Sequence, residues 1–199
     1  LTPILLTPGE VKFDYLVATH PHFDHFDIDS MPNFMSNPST HLFASCRCKE
    51  EIQRLRMREE QVTYVRTGDA VEADDIKIDC VPCDHGSGAP DAVGLIVTID
   101  GKKVYIAGDT CFRRDYGEEI WAKGPFDLMI APINGAYGNL NEAECVKLAG
   151  IIKPGMVIPC HFGTFAGHGG DAGTFLRIIR TELPDQKYLL MAQGEEMIL

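Results

Sequence analysis

The chain has 199 residues, 45% of them hydrophobic and 24% charged, so it is long enough for one domain with a substantial core. Its formal net charge of -11 argues against a nucleic-acid-binding surface, because phosphate contacts need clustered Lys and Arg. The sequence has neither a signal-peptide pattern nor an apolar run of roughly 18 residues, so we expect no membrane partner.

Strands and short helices alternate along the first half of the sequence. A strand at 14–19 leads into a His-rich loop, and a helix at 27–35 ends before Pro38. The remaining elements predicted here are a strand at 41–45, a helix at 49–60, and strands at 62–65 and 76–81.

The second half contains the clearest local signals. Asp100-Gly101 is the preferred type I′ turn and predicts a hairpin of strands 93–99 and 102–107. A strand follows at 126–133, and Asn141 is a good N-cap for a helix ending near Ile152. The last predicted elements are strands at 156–159, 187–191 and 196–199 and a helix at 172–182. The alternation predicts an α/β protein with mixed sheets.

Seven cysteines, an odd number, indicate reduced thiols and a cytoplasmic location. The pairs Cys46/Cys48 and Cys80/Cys83 leave two interpretations open, a four-cysteine zinc site or packing at strand ends, and the second is favoured.

Polar side chains of metal-ligand type follow four predicted strands. Imidazole is the commonest nitrogen ligand for zinc-like metals, and carboxylates suit harder ions. Open α/β sheets place their sites at such strand ends. The candidate ligands are His20, His22, Asp24 and His25 after the first strand, then His85, Asp109 and His161. Any one of these histidines alone would more often be structural, so the prediction rests on their joint occurrence.

The H-x-H-x-D-H segment at 20–25, His85-Gly86, Gly108-Asp109-Thr110 and the final Pro-x-His at 159–161 resemble the metallo-β-lactamase superfamily. The resemblance implies an αβ/βα sandwich with mixed sheets and one or two divalent ions per chain, Mn²⁺ or Zn²⁺. It implies that His20, His22 and His85 hold one ion, that Asp24, His25 and His161 hold a second, and that Asp109 bridges the two.

Within the superfamily, the stretch at 1–19, the segments 66–69 and 134–138 and the strand end at 157–161 resemble the L-ascorbate-6-phosphate lactonase branch. That resemblance implies a metal-dependent hydrolase that opens a lactone or ester of a small sugar acid, phosphorylated or not. A metal-bound hydroxide would attack the carbonyl, and Asp24 and Asp109 would be catalytic, Asp24 by orienting the hydroxide and relaying a proton. No Gly-x-Ser-x-Gly elbow indicates a serine nucleophile instead.

Three further residues are candidates for substrate binding, namely Asn134, Tyr137 and His168. His168 lies in a Gly-rich loop, where an exposed histidine without a ligand is at least as common. Arg113 and Arg114 follow Asp109 and suit either a substrate phosphate or a helix surface, and the surface interpretation is slightly favoured.

Two alternatives to the lactonase function stay open, a metal-dependent phosphodiesterase and a non-catalytic metal-binding domain. The expected partner is a small-molecule substrate. We expect residues 1–199 to form a single domain whose N-terminal strands are incomplete, since the superfamily places several strands before its metal motif. The exposed sheet edge would then be covered by a second copy of the chain or by a separate N-terminal fragment.

Overall fold

Two β-sheets lie at the centre of the protein in the structure, a computed structural model that describes residues 7–163 and 167–199. The smaller sheet has three parallel strands in the order β1 (Tyr15–Ala18), β2 (His41–Ser45) and β3 (Val62–Val65). Because its strands are parallel, their carboxyl ends meet at one edge of the sheet. The candidate ligands at 20–25 follow β1 closely.

The larger sheet has six strands in sequence order. They are β4 (Ala70–Ala73), β5 (Ile76–Pro82), β6 (Val93–Ile99), β7 (Lys102–Ile106), β8 (Leu128–Pro132) and β9 (Met156–Cys160). Neighbours from β4 to β7 pair antiparallel, and β7, β8 and β9 pair parallel. The carboxyl ends of β5, β7 and β9 therefore lie at one edge of the sheet, since β5 and β7 each run antiparallel to β6.

Five α-helices cover the outer faces of the sheets in the described ranges. They are α1 (Met31–Phe34), α2 (Lys49–Arg54), α3 (Arg114–Trp121), α4 (Glu142–Ile152) and α5 (Ala172–Glu182). One apolar cluster joins the small sheet to α1 and α2, and another joins the large sheet to α4 and α5. A third cluster, which includes Phe43 and Leu95, lies between the two sheets. This layering is an αβ/βα sandwich and confirms the predicted fold class.

Local sequence signals were reliable guides to the elements. Asp100 and Gly101 have φ of 50° and 73°, as a type I′ turn requires. Asn141 caps α4 by accepting a hydrogen bond from the Glu144 backbone, and the Glu144 side chain accepts one from Asn141 in return.

Three predictions of elements were wrong. The helix predicted at 49–60 ends at Arg54, and Arg56 has a φ of 53°, outside the helical region. The segments 187–191 and 196–199 are not strands, although Tyr188 forms an isolated bridge to Val157 of β9. Strand β4 was not predicted. No helix in the described ranges has both the length and the apolar character needed to cross a membrane.

None of the seven cysteines forms a disulfide. The two groups of side chains that could hold a metal among the described residues contain no cysteine, which favours packing over a four-cysteine zinc site. Burial raises the pKa of Cys48 to about 12 and that of Cys80 to about 11, as expected for thiols packed in a core.

Candidate metal centre

Four strand ends meet where the two sheets adjoin. The loop after β1 carries the motif at 20–25, and the Thr19 carbonyl accepts a hydrogen bond from the Val93 backbone at 3.2 Å, which ties this loop to the large sheet. From the large sheet, β5, β7 and β9 deliver His85, Asp109 and His161. The seven predicted ligands therefore come together, as the sequence pattern predicts.

Three imidazoles form the first group of ligand atoms. His22 Nδ1 lies 3.1 Å from His20 Nε2 and 3.1 Å from His85 Nε2. His20 is fully buried, and its other nitrogen, Nδ1, lies 3.1 Å from the Thr19 hydroxyl, which holds the orientation of the ring.

Two imidazoles and two carboxylates form the second group. His161 Nε2 lies 3.3 Å from His25 Nε2 and 3.2 Å from Asp24 Oδ2. Asp109 Oδ1 lies 3.4 Å from His25 Nε2 and 3.5 Å from His161 Nε2, while Asp109 Oδ2 lies 3.8 Å from His85 Nε2. Asp109 thus presents one oxygen to each group, which is the geometry of a bridging ligand.

Both groups have the chemistry of a metal site. A tetrahedral zinc with bonds of about 2.0–2.1 Å to nitrogen places its ligand nitrogens about 3.3 Å apart, close to the separations observed. Three ring nitrogens facing one another cannot all be satisfied by one another's protons, whereas a shared cation satisfies them together. The donor atoms of each group lie within 4.8 Å of one another. The residues present therefore fit a pair of divalent ions.

The backbone around Asp109 is held in place from several directions. Gly108 has a φ of 67°, and a Cβ there would lie 3.1 Å from the Val93 carbonyl oxygen, so glycine suits both the conformation and the close approach. The Cys83 thiol donates to the Asp109 carbonyl at 3.0 Å. The Thr110 hydroxyl accepts from the Asp84 backbone at 3.0 Å, which joins the loops after β5 and β7.

His161 also has an unusual backbone conformation. Its φ of 59° is in the left-handed region, which residues other than glycine adopt only at a cost. The following Gly163 has a φ of 69°, so the chain turns sharply after β9. This turn brings the imidazole to the side of the site occupied by Asp24.

Asn139 is a site residue that sequence reasoning missed. It is 5% exposed, and its Nδ2 donates to Asp109 Oδ2 at 2.8 Å. The hydrogen bond fixes the plane of the Asp109 carboxylate. The available signal was its position in the loop after β8, at the same sheet edge as the other strand-end residues, but no spacing links it to Asp109.

The pKa directions of His20, His85 and Asp109 favour cation binding, whereas that of His25 favours an ion pair with Asp109. Burial lowers the pKa of His20 to about 3 and also lowers that of His85, so both rings are neutral near pH 7, the state that binds metals. Burial opposes the charged forms of His25 and Asp109 as well. Their mutual hydrogen bond and attraction nevertheless raise the pKa of His25 and lower that of Asp109, which Asn139 reinforces.

A cavity of about 440 Å³ opens onto the ligands, and its walls include aromatic side chains. It is lined by His22, Phe23, Asp24, His85, Asp109, Tyr137, Asn139, His161, Gly167 and His168. Tyr137 and His168, both predicted substrate contacts, lie in this wall. Asn134, the third, does not line it: the residue is 2% exposed, and its amide has no hydrogen-bond partner within the described residues.

The arginines after Asp109 lie outside the cavity wall. Arg113 pairs with Asp84 at 3.0 Å and with Asp115 at 2.9 Å. Arg114 lies 3.7 Å from Glu118, one helical turn along α3. Both arrangements agree with the favoured interpretation of these residues as surface charges.

A two-sheet α/β sandwich with a histidine- and aspartate-rich centre at its strand ends is the architecture of a metallo-β-lactamase fold. A family profile described as "Beta-lactamase superfamily domain" matches residues 2–162, and the chain belongs to this superfamily.

Two curated relatives align with this chain over most of their length. A UPF0173 metal-dependent hydrolase of Archaeoglobus fulgidus is 29% identical, with 94% of this chain and 83% of the relative covered. A second, from Saccharolobus solfataricus, is 28% identical over 92% of this chain and 80% of the relative. Among solved structures, the metallo hydrolase Igni18 of Ignicoccus hospitalis has a TM-score of 0.76 at 24% identity, covering 92% of this chain and 77% of that one. The structural likeness shows the shared fold.

Proposed function

We propose that the protein is a metal-dependent hydrolase that opens a carboxylic ester or lactone of a small molecule. The observation that carries the proposal is the convergence of seven ligand side chains in two groups that share Asp109. The relatives from Archaeoglobus and Saccharolobus, both named metal-dependent hydrolases, support the reaction class. The resemblance of the sequence to the lactonase branch supports the ester or lactone as substrate.

In this proposal the two groups have separate ligand roles. His20, His22 and His85 hold one divalent ion, and Asp24, His25 and His161 hold the other. The nitrogen-only first group favours Zn²⁺ in the affinity order, and the carboxylates of the second group also suit Mn²⁺. A divalent ion bound there would lower the pKa of water and polarise a carbonyl oxygen of the substrate.

The protein side chains supply orientation and proton transfer. Asp109 is held by Asn139 and His25, so its two oxygens face the two groups without further rearrangement. Asp24 lines the cavity, with a side chain that is 18% exposed. Its Oδ2 faces the second ligand group, so its other carboxylate oxygen is the one that would relay a proton to the leaving oxygen of the substrate. A hydroxyl nucleophile from serine is not required.

Metal content and turnover test the proposal together. Elemental analysis of the protein as purified should find between one and two Zn²⁺ or Mn²⁺ ions per chain. A panel of lactones, esters, phosphodiesters and β-lactams at fixed Zn²⁺ or Mn²⁺ should show turnover of the first two classes. Asp24→Asn should reduce that turnover by about 10²-fold or more.

The matched control is Asp27→Asn, which changes an exposed carboxylate of the same loop outside both ligand groups. Less than one bound metal per chain, together with a His22→Ala variant of unchanged stability, would contradict the metal centre. Turnover confined to phosphodiesters would leave the metal centre standing and replace the substrate class.

A further inference from the structure

We infer that the substrate presents an uncharged aromatic or apolar group beside the bond to be cleaved, held by Phe23 and Tyr137. This inference rests on the proposed hydrolase function and names the substrate class of the same site. It departs from the phosphorylated sugar acid implied by the lactonase-like resemblance.

Two exposed aromatic side chains flank the ligands. Phe23 lies inside the metal motif, between His22 and Asp24, and is 70% exposed, while Tyr137 is 71% exposed. Both line the cavity that contains Asp24 and Asp109. Large aromatic side chains are normally withdrawn from water, so two of them at one cavity mark a surface that gains free energy when a ligand covers it.

The backbone holds Tyr137 in place at a cost. Its φ of 54° is in the left-handed region, which a bulky residue rarely adopts, and Gly135 and Gly138 on either side also have positive φ. Its ring centroid lies 5.2 Å from that of His168, whose ring stacks on His161 at 5.1 Å and 17°. The aromatic surface therefore runs from Tyr137 to a proposed metal ligand.

The charges of the cavity wall do not suit a substrate phosphate group held away from the proposed ions. No Lys or Arg lines the cavity among the described residues. Residues 1–6 and 164–166, which lie outside them, contain neither type in the sequence. The nearby Arg113 is already engaged by two carboxylates and stacks on Tyr116. An anionic group away from the ions would find no cationic partner, although phosphate recognition in proteins generally uses one.

A binding experiment separates the substrate class from the reaction. Three uncleaved amides serve as probes of metal-loaded protein by ligand-observed NMR: N-benzylacetamide, N-ethylacetamide and N-acetyltaurine, whose sulfonate is a poor metal ligand. We expect the benzyl compound to bind about tenfold more tightly than the ethyl compound, and N-acetyltaurine no more tightly than the ethyl compound.

Variants assign the preference to the two rings. Phe23→Ala and Tyr137→Ala should each reduce the benzyl advantage to about threefold or less, and Tyr137→Phe should retain it because the ring is kept. Trp121→Ala is the matched control, since Trp121 is 56% exposed on α3 and does not line the cavity. Metal content is measured for each variant, because Phe23 is adjacent to two proposed ligands.

Tightest binding of N-acetyltaurine, or a benzyl advantage that survives both alanine variants, would overturn the inference. Hydrolysis of benzyl acetate by the same metal-loaded samples reports on the proposed function separately. Absence of turnover with the benzyl preference intact would count against the hydrolase and not against the aromatic subsite.

Discussion

Replacement of Asn139 by leucine should weaken metal binding although all seven proposed ligands remain in the chain. Leucine has nearly the same shape as asparagine but cannot donate the 2.8 Å hydrogen bond to Asp109 Oδ2. Hydrogen bonds to charged groups contribute about 1.5–3 kcal/mol, and a tenfold change in affinity corresponds to about 1.4 kcal/mol. We therefore expect an affinity loss of about 10- to 100-fold, the range known for partners of metal ligands.

Competition with a chromophoric chelator measures this affinity for Zn²⁺ and Mn²⁺ at fixed pH. Asn134→Leu is the matched control: Asn134 is similarly buried and lies in the same segment after β8, but its amide contacts no ligand. An Asn139→Leu protein that folds and binds metal within threefold of the parent would refute the reasoning, because the bridging carboxylate would then need no support from Asn139.

Three more predictions concern metal removal, pH and backbone. Removal of the metals with a chelator should lower the melting temperature measured by calorimetry. Metal restored at 100 times its dissociation constant should raise the free energy of unfolding by about 2.7 kcal/mol. Folding lowers the pKa of His20 from 6.5 to about 3, so the unfolded chain binds a proton more readily than the folded one between these values. The free energy of unfolding of the metal-free protein should therefore fall as pH drops below 6.5, by up to about 1.4 kcal/mol per pH unit. Urea titrations at several pH values should show a flatter slope for His20→Asn. Gly108→Ala should lower the free energy of unfolding, measured with urea, by about 1–2 kcal/mol or more, because the φ of residue 108 is 67° and a Cβ there would crowd the Val93 carbonyl. Gly9→Ala is the control and should change this free energy little, since the space around Gly9 is open.

Sequence-based prediction succeeded where the cause of structure is local. The turn at Asp100-Gly101 needs only two residues that tolerate positive φ, and α4 begins at a capping box whose partners are three residues apart. The convergence of the seven candidate ligands was equally accessible, because each lies within a few residues after a recognisable strand. Such features depend on neighbours that can be seen in the sequence itself.

Prediction failed where the cause is a distant partner. The segment around Tyr188 has strand-like composition, yet its only strand-type pairing in the described residues is a short bridge to β9, so no strand extends from it. Asn139 lies 30 positions from Asp109, and nothing in that separation indicates a hydrogen bond. The exposure of Phe23 likewise follows from the packing of the motif loop and not from its composition.

The two ligand groups share a property that connects the fold to the proposed chemistry. Each group draws members from both sheets: His20 and His22 from the small sheet meet His85 from the large one, and Asp24 and His25 meet His161. An ion in either group therefore joins the two halves of the sandwich. The wall of the cavity over these ligands also contains residues of both halves. Metal binding and the shape of the proposed substrate site therefore depend on the same packing of one sheet against the other. Loss of metal should consequently loosen the cavity before it unfolds α4 and α5, whose apolar cluster belongs to the large sheet alone.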